Sequence, residues 1–182
     1  MKRKIAHIST SHSSDDPRIV YKECISLAKD FDVSLFCLRG LNSKKLSSFN
    51  ISFYPLKRNQ KLLSRIFRNQ INIIWLSLKH KIDIVHLHDP ELIITAIALK
   101  ILGKRVVFDI HENFSRRRYK FNDAKTILKS IFQVLYVALE KAAQYFLDKL
   151  IVADKDIKDK FSSNNVSIIH NYPLENYRFE AA

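Results

Sequence analysis

The stretch "DIVHLHDPELIITAIALKILGKRVVFDIHEN", Asp83 to Asn113, decides the fold. It opens on a β-branched run, Asp83 to Leu87, passes into a helical segment from Pro90 to Leu102, stops at Gly103 and closes on a second β-branched run, Arg105 to Ile110. Two short apolar runs joined by a helix of this length spell a right-handed crossover between parallel strands. Ionisable residues gather where each strand ends, "HLHDPE" after the first and "HEN" after the second.

The alternation extends both ways. Upstream, Lys4 to Ser9 reads as a strand, and Arg18 to Lys29 as a helix with Asp16 as its N-cap and Pro17 at its first position. Asp32 to Leu38 and Ile51 to Tyr54 are further strands, and Leu62 to Lys79 is an amphipathic helix. Downstream come a helix from Ala124 to Leu147, a strand from Lys149 to Val152, a helix from Lys155 to Phe161 and a strand from Val166 to Ile169. The expected architecture is α/β: an open, doubly wound, mostly parallel, Rossmann-like sheet in three αβα layers. It occupies residues 1–170 as one domain, with 171–182 as a linker or tail. A closed eight-fold barrel would lack both units and residues.

Bulk properties narrow the function classes. The 182 residues are 47% hydrophobic and 27% charged, enough for one full core. Lys and Arg number 31 against 18 Asp and Glu, a net charge of +13 that favours anionic partners. Cys24 and Cys37 sit in apolar segments without a Cys-x-x-Cys pair, so they read as core residues in a reducing, cytoplasmic setting. The basic start "MKRKIAHIST" lacks the apolar stretch of a secretion signal, and no run of 18 apolar residues exists. With only Gly40 and Gly103, the chain cannot form a dinucleotide fingerprint, a phosphate loop or a nucleophile elbow.

In open α/β sheets, ligands bind beyond the carboxyl ends of the strands. Here those ends carry "STSHSSDD", "HLHDPE", "DIHEN", "ADKD" and "HNYP", so six of the seven histidines belong to one edge of the sheet or the loops beside it. His86 and His88 lie two apart and face one side of their strand, opposite Val85 and Leu87. Asp89 before Pro90 predicts a helix cap. A metal centre would need a third and a fourth ligand beside the His-x-His pair, and the order of residues does not supply the runs that hydrolytic zinc sites use. No metal is expected.

The segments "SSDDPRIVYKECISLAKDFDVSLF", "DIVHLHDPELIITAIALKILGKRVVFDIHEN" and "DKLIVADKDIKDKF" with "NVSIIHNYP" resemble the N-terminal half of retaining, family 4-type glycosyltransferases of the GT-B architecture, of the kind that build bacterial surface polysaccharides. The resemblance implies two Rossmann-like lobes across a cleft, the N-terminal one on the acceptor side. It implies a nucleotide-sugar as donor substrate and no separate cofactor. The donor lobe's Glu-x7-Glu motif has no counterpart here, so a donor-binding C-terminal domain or subunit is the implied partner, and the chain as given reads as half an enzyme. His111 matches the family histidine that faces the donor sugar, as a hydrogen-bond donor rather than a base. His88, Asp89 and Glu112 would line the acceptor side, and Asp16 and Arg18 match the "D-x-R-I" run after strand one. The loop after that strand lacks the Gly-Gly many relatives use near the donor diphosphate.

The basic charge is clustered. Lys57, Arg58, Lys61, Arg65 and Arg68 line one helix and its entry, with Phe67 and Trp75 interleaved. Arg116, Arg117, Arg118 and Lys120 crowd a loop with Phe114, Tyr119 and Phe121. Basic surfaces with aromatic anchors suit an anionic membrane. This fits a lipid-linked or oligosaccharide acceptor held at the cytoplasmic leaflet, and the protein is expected to be peripheral there. The alternative readings are a non-catalytic membrane-docking subunit of a split glycosyltransferase and, behind it, a basic nucleic-acid-binding domain. No helix-turn-helix, zinc finger or RNP-type motif is present, so nucleic acid is not an expected partner.

Overall fold

The structure, a computed structural model, describes residues 2–41, 43–57, 62–110 and 124–172. Seven strands form one sheet: β1 (Lys4–Ser13), β2 (Asp32–Leu38), β3 (Ile51–Leu56), β4 (Ile84–Leu87), β5 (Arg105–Ile110), β6 (Lys149–Val152) and β7 (Val166–Ile168). Every pairing is parallel, and the order is β3-β2-β1-β4-β5-β6-β7. The chain winds outward from β1 to β3, returns to the other side of β1 for β4, and continues to β7. The switch in direction therefore falls between β1 and β4, where an open sheet leaves its ligand crevice.

Among the described residues, five helices cover the sheet. Helix α1 is π-helical over Pro17–Cys24 and α-helical over Ile25–Leu27. The others are α2 (Leu62–Lys79), α3 (Ile93–Ile101), which a 3-10 turn at Pro90–Leu92 leads into, α4 (Ala124–Phe146) and α5 (Lys155–Lys158). Alternation along the strands separates two cores. One face gives Ala6, Ile8, Val85, Leu87 and Phe108 to a core shared with Ile73 of α2, Leu99 of α3 and Ala143 of α4. The opposite face gives Ile5, Val33, Leu35 and Cys37 to a smaller core under Ile19, Val20 and Cys24 of α1 and Leu46 of a 3-10 segment. Cys24 and Cys37 are buried free thiols whose pKa values burial pushes up.

Local signals explain the element ends. Gly103 adopts φ +78° directly after α3, and the backbone N–H of Lys104 donates to the Leu99 carbonyl, a left-handed C-terminal stop open to glycine at little cost. The parallel sheet, the helices between its strands and most boundaries follow the sequence expectation. The departure that matters is α1. Its Ile25 N–H donates to the Val20 carbonyl five residues back, so the expected α-helix from Arg18 is wider for two turns.

Candidate functional site

Two buried polar networks meet where the carboxyl ends of β1 and β4 lie side by side. The first is built on histidines. His7 of β1 pairs in register with His86 of β4, and His88 follows two residues on, so all three rings project from the sheet face under α1. His7 is fully buried, and His86 and His88 are almost so. His7 Nδ1 lies 3.0 Å from His88 Nε2, and the His86 ring centre is 4.6 Å from that of His7 and 4.4 Å from that of His88.

Carboxylates and one guanidinium enclose these rings. Glu23 of α1 brings Oε2 to 3.4 Å from His7 Nδ1, 3.7 Å from His88 Nε2 and 3.8 Å from His86 Nδ1. Asp109 of β5 stands on the other side, with Oδ2 3.7 Å from His88 Nδ1 and 3.8 Å from His86 Nε2. Arg18 ties the two acids together: Nε donates to Glu23 at 3.2 Å, and Nη2 to both Asp109 oxygens at 2.8 and 3.0 Å. Burial alone would raise the Glu23 pKa, but His7, His88 and His86 hold it well below the usual carboxylate range.

The second network centres on Asp89. Its carboxylate accepts from Ser9 Oγ at 2.9 Å, from the Ser11 N–H at 3.2 Å, and from the Thr10 backbone N–H and hydroxyl and the Ser11 hydroxyl. Asp89 occupies the N-cap position ahead of Pro90, yet its side chain makes no capping hydrogen bond. The expected cap is thus corrected. Pro90 has no N–H to offer, and the end of β1 presents a convergent set of donors that holds the carboxylate instead. Asp16 does cap α1, accepting from the N–H groups of Arg18 and Ile19, each at 2.9 Å. Burial works against its charge, but the His12 hydrogen bond at 2.7 Å and these amides lower its pKa from 3.8 to about 2. His12 Nε2 in turn lies 3.8 Å from Asp89, so the two acids share one neighbour.

Beside these networks lies an open cavity of about 660 Å³ at the ends of β1 and β2, with Leu56 of β3 on its wall. Ser11, His12, Asp15, Asp16 and Arg39 line it, an interleaving of hydrogen-bond donors and acceptors. Asp15 is fixed by accepting from the Leu41 N–H at 2.6 Å, and Gly40 lies so close that a Cβ there would meet its carboxylate at 2.1 Å.

Of the expected site residues, Asp16, Arg18, His88 and Asp89 come together at this edge. Only Asp16 reaches the cavity wall; His88 and Asp89 are buried within the networks. His111, Glu112, Arg116, Arg117, Arg118, Lys120, Arg58 and Lys61 lie outside the described residues, as does the Arg65 side chain. Lys57 and Arg68 are exposed. Sequence reasoning missed Glu23, Asp109, Asp15 and Arg39, and it left His7 as a strand residue without a role. A usable signal existed for His7 and Asp109, since each is a polar residue alternating with buried apolar neighbours in a central strand.

Comparison with known proteins agrees with this architecture. A glycosyltransferase from Rickettsia africae superposes with a TM-score of 0.60 at 16% identity, over 93% of this chain and 43% of that one. Anabaena Alr3699/HepE in complex with UDP-glucose gives 0.60 at 13% identity, over 94% and 44%. Sucrose-phosphate synthase from Thermosynechococcus elongatus gives 0.64 at 12% identity, over 93% and 48%. The chain thus spans less than half the length of these structures. No curated protein matches it in sequence. The sequence model of Glycosyltransferase Family 4 matches residues 17–171, from the Pro17 that opens α1 to the Asn171 beyond β7, and the chain belongs to that family.

Proposed function

We propose that this chain is the acceptor-binding half of a glycosyltransferase that moves a sugar from a nucleotide-sugar to a lipid-linked saccharide in polysaccharide synthesis. The observation that carries the reading is the 660 Å³ cavity at the carboxyl ends of β1 and β2. Carboxylates, hydroxyls, an imidazole and a guanidinium interleave on its wall, as a hydroxyl-rich ligand requires. In the proposed reaction an acceptor hydroxyl oxygen bonds to the anomeric carbon while the bond from that carbon to the nucleoside diphosphate breaks. The leaving phosphate takes the proton, and this half orients the acceptor. His111, which follows Ile110 in the chain, is proposed to donate a hydrogen bond to the donor sugar. A donor-binding lobe, in the same reading frame or a partner subunit, supplies the nucleotide-sugar. Among the known structures above, HepE was seen with UDP-glucose.

The acceptor's lipid is proposed to sit at an anionic membrane that α2 touches. Ile71, Trp75 and Leu78 are exposed along one stripe of that helix, with Arg68 before them and Lys79 after. Lys79 Nζ lies 4.4 Å from the centre of the Trp75 ring. An apolar stripe bounded by cations matches the interface of an anionic leaflet. Among the described residues, no helix is long and apolar enough to cross a membrane.

Saturation-transfer NMR with polyprenyl-diphosphate-linked saccharides in nanodiscs tests the acceptor reading. The expected result is a saccharide signal that Asp15→Asn and Arg39→Ala weaken. A signal that is absent, or unchanged in both variants, overturns it.

A further inference from the structure

We propose that His7, His86, His88 and Glu23 form a closed, four-ligand site for a divalent cation of the zinc class, which ties α1 to β1 and β4. This goes beyond the acceptor reading and does not depend on it. One atom from each residue lies within 4.8 Å of all the others. The closest separations are 3.0 Å from His7 Nδ1 to His88 Nε2 and 3.4 Å from His7 Nδ1 to Glu23 Oε2. Tetrahedral zinc, with ligands about 2.0–2.2 Å from the metal, sets its donor atoms about 3.3 Å apart. The separations above lie within a few tenths of an ångström of that spacing and the 3.7 and 3.8 Å gaps from Glu23 to His88 and His86 within about half an ångström, whereas a pair at the 4.8 Å limit would have to close by about 1.5 Å on binding.

Independent features point to a cation. Glu23 Oε2 is buried among three imidazoles, and its nearest donor, His7 Nδ1 at 3.4 Å, is too far and too poorly aligned for a good hydrogen bond. A buried carboxylate oxygen left in that condition is costly unless something positive takes it up. The groups behind the ligands also match. Asp109 Oδ2 stands 3.8 and 3.7 Å from the far nitrogens of His86 and His88, on the side from which a carboxylate can orient metal-binding imidazoles once it closes to hydrogen-bond distance. Arg18 holds the remaining Glu23 oxygen and so turns Oε2 toward the rings. The sequence offered only the His86-x-His88 pair. The third ligand comes from the neighbouring strand through register, and the fourth from the helix above. Because all four positions are filled by side chains, the role is structural, with no open position for substrate.

The test uses the full chain, stripped by chelator and titrated with Co2+ and then Zn2+. One equivalent of Co2+ should give the intense visible bands of tetrahedral coordination, and Zn2+ should displace it and raise Tm by about 5 °C. Glu23→Gln and His7→Gln should abolish the bands, and Asp109→Asn should weaken binding by about ten- to a hundredfold. Zinc should also shift the imidazole nitrogens of His7, His86 and His88 in wild-type 15N spectra and leave His80 and His170 unmoved, a readout that needs no variant to fold. Absence of stoichiometric uptake, uptake that survives both Gln variants, or shifts confined to His80 and His170 would overturn the site.

Discussion

Arg18 and Glu23 stand five residues apart on α1, yet their side chains meet, Nε to Oε1 at 3.2 Å. In an α-helix that spacing would leave them about 140° apart around the axis. The π-helical course of Pro17–Cys24 closes the angle, and so sets both residues over the histidines of β1 and β4.

Arg18→Ala should be severe. It would leave Glu23 and Asp109 buried without their shared cation, at a cost of about 3–5 kcal/mol. Arg18→Lys keeps the charge but cannot span both acids, and should recover only part of that loss. Urea midpoints of the three proteins decide the order.

Asp89→Asn should destabilise the chain although it is nearly isosteric. The amide nitrogen would face N–H and O–H donors from Thr10 and Ser11 that now find acceptors. The expected cost is about 1–3 kcal/mol, with hydrogen-exchange protection lost first at Thr10 and Ser11.

Asp16 predicts an acid-side response. Its folded pKa of about 2 lies below the free value of 3.8, so its contribution is complete above about pH 4 and drains away as pH falls toward 2. Asp16→Ala should cost about 1–2 kcal/mol at neutral pH, most of it as lost capping. It should also flatten the stability profile between pH 4 and 2, a slope read by thermal unfolding across that range.

Gly40→Ala should act on the cavity more than on the fold. A methyl group there meets the Asp15 carboxylate, which must swing away and release the Leu41 N–H. Overpacking of this kind costs about 1–3 kcal/mol. Saccharide binding should weaken more than Tm falls, as ligand titrations beside melting curves would show.

Trp75→Glu should release the chain from anionic vesicles. Trp75 is exposed and bounded by cations, so it is the residue through which the proposed membrane contact would be anchored, and each basic residue near an anionic surface adds about 1 kcal/mol. Flotation at low salt should drop for Trp75→Glu and for Arg68→Glu with Lys79→Glu, while the unfolding free energy stays within about 0.5 kcal/mol of wild type.

The fold was legible because period and punctuation agree along most of the chain. Alternating residues such as Val85 and Leu87, and the stop at Gly103, set strands and helix ends through local physics alone. The site was legible only where residues stand close in sequence. His86 and His88 announce themselves by their spacing, whereas His7 joins them through strand order and register, which no local pattern encodes. Glu23 was hidden for another reason. An α-helical wheel sends it away from Arg18, and no propensity rule foretells a π-turn. Asp89 misled because its neighbour Pro90 marks a helix start, while the donors that claim it lie some 80 residues earlier.

The wide winding of α1 also bears on how kin of this chain should be aligned. A helix with an ordinary pitch would bring a base and an acid over one another at a spacing of four, so a cousin lacking one amino acid here could display the same pair. Gapless comparison would then set the acid out of phase and mistake a shared feature for a lost one.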